Sequence, residues 1–149
     1  MKMRLLVSDE VLTTIQDDGI CYAENEAPFS HYAYELMTGV TGFKGLFFAI
    51  YESEDMKQNP ERMKELITTS SKQNDWELVL DVPDNEVFYH NYYDYTDLIY
   101  FYDREDYQIV RMIKEAVKTK QFGQVTQCLI NRIEKNWIVS VKIPSETIQ

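Results

Sequence analysis

Residues 75–106 hold ten carboxylates and a single base, Arg104, a net charge of −9 in a chain whose total is −10. Six of the eleven tyrosines fall between Tyr89 and Tyr102, inside the same region. Residues 108–149, by contrast, carry seven bases and three acids, a net +4. The acidity is therefore regional, and such a field repels nucleic acid and attracts basic surfaces. Tyrosine offers a broad ring with a polar tip and is enriched at the centres of interfaces. Carboxylates spaced along one element imitate a row of phosphates. The combination predicts a partner-binding surface built from Tyr92, Tyr93, Asp94, Tyr95, Asp97, Tyr102, Asp103, Glu105 and Asp106. Its partner is expected to be a protein with a basic surface, such as a groove that otherwise takes nucleic acid. The plainer alternative is that the rings are buried with wet hydroxyls and the acids are merely solvated.

Other chemistries lack their signatures. The chain has no glycine-rich phosphate loop, paired-cysteine zinc motif, His-Glu-x-x-His or nucleophile elbow. His31 and His90 are far apart in sequence, and His90, set among tyrosines, reads as a hydrogen-bonded structural histidine rather than a base. Cys21 and Cys128 read as buried thiols rather than a disulfide or a nucleophile. The expectation is a non-enzymatic protein with no metal and no cofactor. No apolar run reaches the about 18 residues of a membrane span. The opening "MKMRLLVSDE" turns charged again at Asp9, before the apolar core of a signal peptide forms. A cytoplasmic location, with no membrane contact and no direct nucleic-acid binding, follows as the expectation.

The elements that must position these residues are legible in outline. A length of 149 residues suits one domain, and 44% hydrophobic residues are too many for a disordered chain. "RLLVS" reads as a strand and "SDEVLTTIQDDG" as a helix capped by Ser8 and stopped by Gly19. "APFSHYAYELMTG" reads as a helix from Pro28 to Gly39, with Phe29, Tyr32, Leu36 and Val40 on one face. "GFKGLFFAIY" is a buried strand, "NPERMKELITT" a helix that decays into a polar loop, and "WELVLDVP" a strand ended by Pro83. "NEVFYH" is a short strand. "YDYTDLIYFYD" reads two ways: its aromatics suit a strand, whereas the spacing of Tyr95, Leu98, Ile99 and Tyr102 suits a helix, which is the favoured reading. "REDYQIVRMIKEAVKTKQFG" is an amphipathic helix ended by Gly123, with Tyr107, Val110, Met112 or Ile113, and Val117 inward. "QVTQCLINRIEKNWIVSVKI" reads as two strands joined at "EKN", and residues 144–149 as a tail. The result is a single α+β domain over residues 1–143, with a mostly antiparallel sheet and three to five helices.

The pieces "RLLVSDEVLTTIQDDGI", "FSHYAYELM", "GLFFAIY", "WELVLDVPDNEVFYHNYYDYTDLIYF" and "QVTQCLINRIEKNWIVSV" together resemble the bacterial and phage family called domain of unknown function 3841. "DVPDNEV" is the specific part of that resemblance. The family's Asp-x-Asp-x-Trp-His segment falls here on Asn91, Tyr93, Tyr95 and Thr96, and its Trp pair on Phe48 and Ile50. Any chemistry of those polar residues is therefore lost, which agrees with a phage or mobile-element inhibitor of a host protein. The layout also looks like ADP-ribosyltransferase-type folds. That analogy implies a nicotinamide-dinucleotide cleft near Arg4, Tyr51 and Gln127. A third reading pairs the acidic region with the basic C-terminal region, within one chain or between the two copies of a homodimer.

Overall fold

The computed structural model of the chain describes residues 1–72 and 75–144. The apolar first strand, β1 (Lys2–Val7), lies inside the sheet rather than at its edge. Helix α1 (Asp9–Asp18) follows at once: Ser8 Oγ accepts from the Val11 N–H at 3.2 Å, and Gly19 ends the helix at φ 80°. The first-turn acids Asp9 and Glu10 suit the positive end of the helix dipole. Next come β2 (Ile20–Tyr22), α2 (His31–Thr41), β3 (Phe47–Tyr51), α3 (Glu54–Lys57) and α4 (Pro60–Thr69). The remainder is β4 (Trp76–Asp81), β5 (Phe88–Asn91), α5 (Tyr92–Asp103), α6 (Tyr107–Val117), β6 (Thr126–Ile130), β7 (Arg132–Glu134) and β8 (Ile138–Lys142).

Six strands form one antiparallel sheet in the order β5-β6-β3-β1-β4-β8, and β2 pairs with β7 in a second, small sheet. The fold is α+β. On one face of the large sheet, Met3, Leu5, Leu78, Leu80 and Ile130 pack under α1, Ile133 of β7 and Trp137. On the other face, Phe48 and Leu129 meet α2, α5 and α6, while Leu6 and Ile50 meet α3 and α4. Burying each such side chain contributes about 1.5–3 kcal/mol. Pairing register sets His90, Gln127, Ile50, Arg4, Val79 and Ser140 in one row across all six strands, on the face that carries α2 to α6. Three members of that row are polar and buried or half-buried, which is unusual for the covered side of a sheet.

Several boundaries differ from the sequence pattern, each for a local reason. α2 begins after Ser30, whose Oγ accepts from the Ala33 N–H, so Pro28 and Phe29 belong to the preceding loop. The helix runs through Gly39 and ends at Gly42, which takes φ 76°. α6 stops at Val117 rather than Gly123; Gln121 already donates its backbone N–H to Tyr89 of the edge strand. Among the described residues the helices number six, because Ser53 caps the extra single turn α3. "QVTQCLINRIEKNWIVSVKI" forms three strands, and none pairs with another of the three. A 3₁₀ turn at Lys135–Trp137 tucks Trp137 into the core between β7 and β8. Except for Pro144, the expected tail 144–149 lies outside the described residues, as do Gln73 and Asn74 of the polar loop. Among the described residues, no helix is long and apolar enough to cross a membrane.

Candidate functional site

The tyrosine-rich segment is a helix. Asn91 caps α5, its Oδ1 accepting from the Tyr93 N–H at 3.0 Å, and the apolar spacing then runs inward through Tyr95 and Leu98. The helix ends at a corner where Glu105 takes φ 59°. Asp106 Oδ1 accepts from the Ile109 N–H at 3.4 Å and so opens α6. This corner carries Asp103, Arg104, Glu105 and Asp106 between two packed helices.

The ten carboxylates of residues 75–106 have different fates. Glu77 is buried and is held by Arg4 at 3.0 Å and Lys142 at 3.1 Å. Glu86 pairs with Arg132 at 3.1 Å. Asp81 and Asp84 meet the Met1 ammonium at 3.2 and 3.1 Å. Asp75 accepts the Asp9 N–H at the start of α1. The other five, Asp94, Asp97, Asp103, Glu105 and Asp106, form no ion pair among the described residues. Apart from Asp75, the carboxylates of this region that lack an ion pair among the described residues thus collect on α5 and its corner. The base among them, Arg104, folds back: its guanidinium lies 3.5 Å from the Tyr100 ring centroid and donates to the Tyr100 carbonyl. Two bases of the C-terminal segment, Arg132 and Lys142, are spent on Glu86 and Glu77 inside the fold.

The five acids are not one row. At 100° per residue, Asp94 and Asp97 share a flank, while Asp103 sits about 120° round from Asp97 and about 9 Å further along the axis. The expectation of a linear phosphate-like row is therefore corrected to two groups, a pair on the first turns and a cluster at the corner.

The tyrosines need a sharper correction. Tyr95 is 7% exposed and packs on Phe48 and His90 with ring centroids 5.9 and 5.2 Å away, so it is unavailable to a protein partner. Tyr102 stacks on Tyr32 at 3.9 Å and only half shows. Tyr93 accepts a hydrogen bond from the Arg62 guanidinium, and the Tyr92 hydroxyl lies 3.4 Å from that of Thr69. These three rings fasten α5 to α2 and α4. The exposed rings of the corner are Tyr100 (49%) and Tyr107 (51%), neither counted as a site residue from sequence. Tyr100 was discoverable: it lies far round the helix from Tyr95 and Leu98. The spacing of Tyr107 to Val110 fits the inner face of α6, but the ring stands against Tyr102 instead, at 5.7 Å, and is half exposed.

Behind this surface lies a polar knot. His90 Nδ1 donates to the Val117 carbonyl at 2.9 Å, and Nε2 lies 2.8 Å from the Gln127 side-chain oxygen Oε1. Burial pushes the His90 pKa below its ordinary value, against the opposing effects of Gln127, the Val117 carbonyl and Asp94. His90 is the satisfied structural histidine expected from its sequence setting, and His31 is exposed at the start of α2. Cys128 is buried, which raises its pKa; Cys21 is half-buried, and burial followed by Glu24 and Asp18 raises its own. Both thiols are free.

The residues proposed for a dinucleotide cleft are not brought together. Arg4 is clamped by Glu52 at 2.8 Å and by Glu77, which raises its pKa, with the Glu52 bond the largest cause. Tyr51 faces the opposite side of the sheet, where it meets Phe122 at 5.3 Å. Gln127 shares a row with Arg4 but stands two strands away. Among the described residues, no group of three or more histidine, cysteine or acidic side chains is placed to hold a metal ion. Compared with protein-family models, curated proteins and solved structures, the chain matches none.

Proposed function

We propose that the chain is a non-enzymatic binding protein whose α5–α6 corner docks on a basic surface of another protein, in a groove that otherwise takes nucleic acid. The observation that carries this reading is the partition of the ten carboxylates: four are ion-paired within the chain, and of the six that are not, five gather on one helix and its corner, the sixth being Asp75. Exposed Tyr100 and Tyr107 beside Asp103, Glu105 and Asp106 supply contact area next to the charge. The two acidic groups lie about 9 Å apart along the helix, close to the screening length of about 8 Å at physiological ionic strength, so they steer a partner together. An origin as a phage or mobile-element inhibitor goes with the resemblance to domain of unknown function 3841 and is proposed on that ground alone.

The test is a pull-down from a cell lysate at low and high salt, with wild type beside the triple variant Asp97→Lys, Asp103→Lys, Glu105→Lys. Asp106 is left intact because it caps α6. The expected result is a basic protein retained by wild type, lost by the variant, released by salt, and confirmed by titration of the purified pair. A partner retained equally by the variant would refute the docking surface.

A further inference from the structure

A second site lies on the inner side of α5 and owes nothing to the acids. Tyr92, Tyr95, Thr96 and Ile99 of the helix, with Phe29 and Phe48, wall a slot of about 210 Å³. No charged side chain lines it. Its floor is Gln127, 2% exposed, and one of its walls is the buried Tyr95. Every fully enclosed side-chain oxygen and nitrogen among the described residues has a hydrogen-bond partner. The Tyr95 hydroxyl has none among them, so it is an atom that keeps some exposure, and the slot is where its side chain surfaces. A buried phenol without a partner forgoes a hydrogen bond that most buried tyrosines make.

Gln127 supplies a second open group. The Val117 carbonyl can only accept, so the neutral His90 ring carries its proton on Nδ1 and presents Nε2 as an acceptor. The structure sets Gln127 Oε1 2.8 Å from Nε2, which would leave two acceptors face to face, so the amide is turned by half and donates an N–H to Nε2. The oxygen then takes the other end of the amide, which has no partner among the described residues and keeps some exposure where Gln127 lines the slot. The slot thus offers a hydroxyl and an amide oxygen, on a side chain whose orientation His90 fixes, between aromatic walls. Ligand pockets are commonly about 300–1,000 Å³, so this one takes a single flat ring system rather than a large molecule.

The slot opens beside a larger cleft of about 540 Å³, with which it shares Pro28, Phe48 and Ser70. Five carboxylates line that cleft, Asp9, Glu10, Glu24, Glu26 and Asp75, against the single ammonium of Lys72. Sugar hydroxyls suit such a lining; phosphates do not.

We infer that the slot binds a neutral heteroaromatic ring with adjacent hydrogen-bond donor and acceptor groups, that is, a nucleobase presented as a free base or nucleoside and not as a nucleotide. The ring lies among Tyr92, Phe29 and Phe48. Its polar edge meets Tyr95 and Gln127, and its ribose faces the acidic cleft. This site is independent of the α5–α6 corner, and neither reading falls with the other.

The test titrates the full chain with adenosine, guanosine, cytidine and uridine, and with the matching 5′-monophosphates, following the Gln127 side-chain amide and the Tyr95 ring by NMR. At least one nucleoside is expected to give saturable shifts at both groups, with its monophosphate at least about tenfold weaker. Tyr95→Phe removes one hydrogen bond to the ligand and none within the protein, so it should weaken binding about five- to tenfold. Phe29→Ala, at an exposed wall position, is the companion variant and should also weaken binding. The inference is overturned if no nucleoside shifts these signals at millimolar concentration, if monophosphates bind as well as nucleosides, or if both variants bind like wild type.

Discussion

Tyr34 and Tyr95 are two phenols of one core cluster, with ring centroids 6.1 and 5.9 Å from that of Phe48. They differ in what their hydroxyls do. The Tyr34 hydroxyl donates to the Glu24 carbonyl at 3.1 Å and accepts from the buried Leu46 N–H at 3.1 Å. It thereby ties the loop before α2 to the approach of β3. Gly45 sits in the same tie: a Cβ there would lie 2.4 Å from the Ala23 carbonyl oxygen, so the two backbone segments touch. Tyr34→Phe keeps the ring and removes both bonds. The Leu46 donor is left buried without a partner, costing about 1–3 kcal/mol, and the half-buried Glu24 carbonyl loses about 0.5–1.5 kcal/mol. The sum is about 1.5–4.5 kcal/mol, which at about 2–4 °C per kcal/mol for a chain of this size lowers Tm by about 3–18 °C. Tyr95→Phe deletes a hydroxyl with no partner inside the protein and should cost less than about 0.5 kcal/mol. The assay is thermal and urea unfolding of the three proteins side by side, with hydrogen exchange at Leu46 as the local readout. Equal losses for the two variants, or a Tyr34→Phe loss under about 1 kcal/mol, would refute the reasoning about which phenol is spent.

Two further outcomes concern acidity. Because the folded-state pKa of His90 lies below 6.5, the unfolded chain takes up a proton there first. Stability is therefore full above pH 6.5 and declines as pH falls from 6.5 toward the folded value; urea midpoints across that window, with the His90 ring protons staying in their neutral positions by NMR, check it. Glu52 runs the same way at lower pH: its bond to Arg4 holds its pKa below 4.5, so its contribution is present above pH 4.5 and is lost as pH falls through the folded value. Arg4→Met strands Glu52 at a largely enclosed position and should cost about 3 kcal/mol at neutral pH, shrinking on acidification. A cost that stays constant with pH would show that packing, not charge, is what Arg4 supplies.

How far the sequence carried depends on whether a feature was local. Ser8 with Gly19, Asn59 with Pro60, and the alternation from Trp76 to Val82 are signals that read out within one or two turns, and they hold in the structure. α5 was legible for the same reason, from the recurrence of Tyr95, Leu98 and Tyr102. The failures are non-local. Trp137 looked like a strand residue because Val139 and Val141 alternate with it, yet it is drawn into the core by Ile133 and α1. Tyr95 looked like a surface ring because carboxylates flank it on both sides in sequence; a helix sends those neighbours outward and the ring inward. The unpaired state of Asp97 and Asp103 could not be read from charge counts, since it depends on which acids Arg4, Arg132 and Lys142 reach. The slot left no trace in sequence at all: its walls come from the loop before α2, from β3, α5 and β6, which meet only after folding.

The strand order carries a consequence for how the molecule comes to exist. No two neighbours in the six-stranded sheet are joined by a tight turn; Met3 faces Tyr51, Leu5 faces Leu78, and Phe48 faces Leu129. When the chain leaves the ribosome, β4, β1 and β3 can zip together with both outer edges bare, and β5 then waits without a strand to pair with until β6 arrives to fill the gap beside β3. Every ladder must close a long loop before it yields any stabilisation, which makes assembly slow for a chain of this length. During that interval, open strand edges are exposed to other nascent chains. The dense negative charge of residues 75–106 is synthesised before β6, so the half-built sheet already carries a repulsive segment that keeps copies apart while the last partners are made.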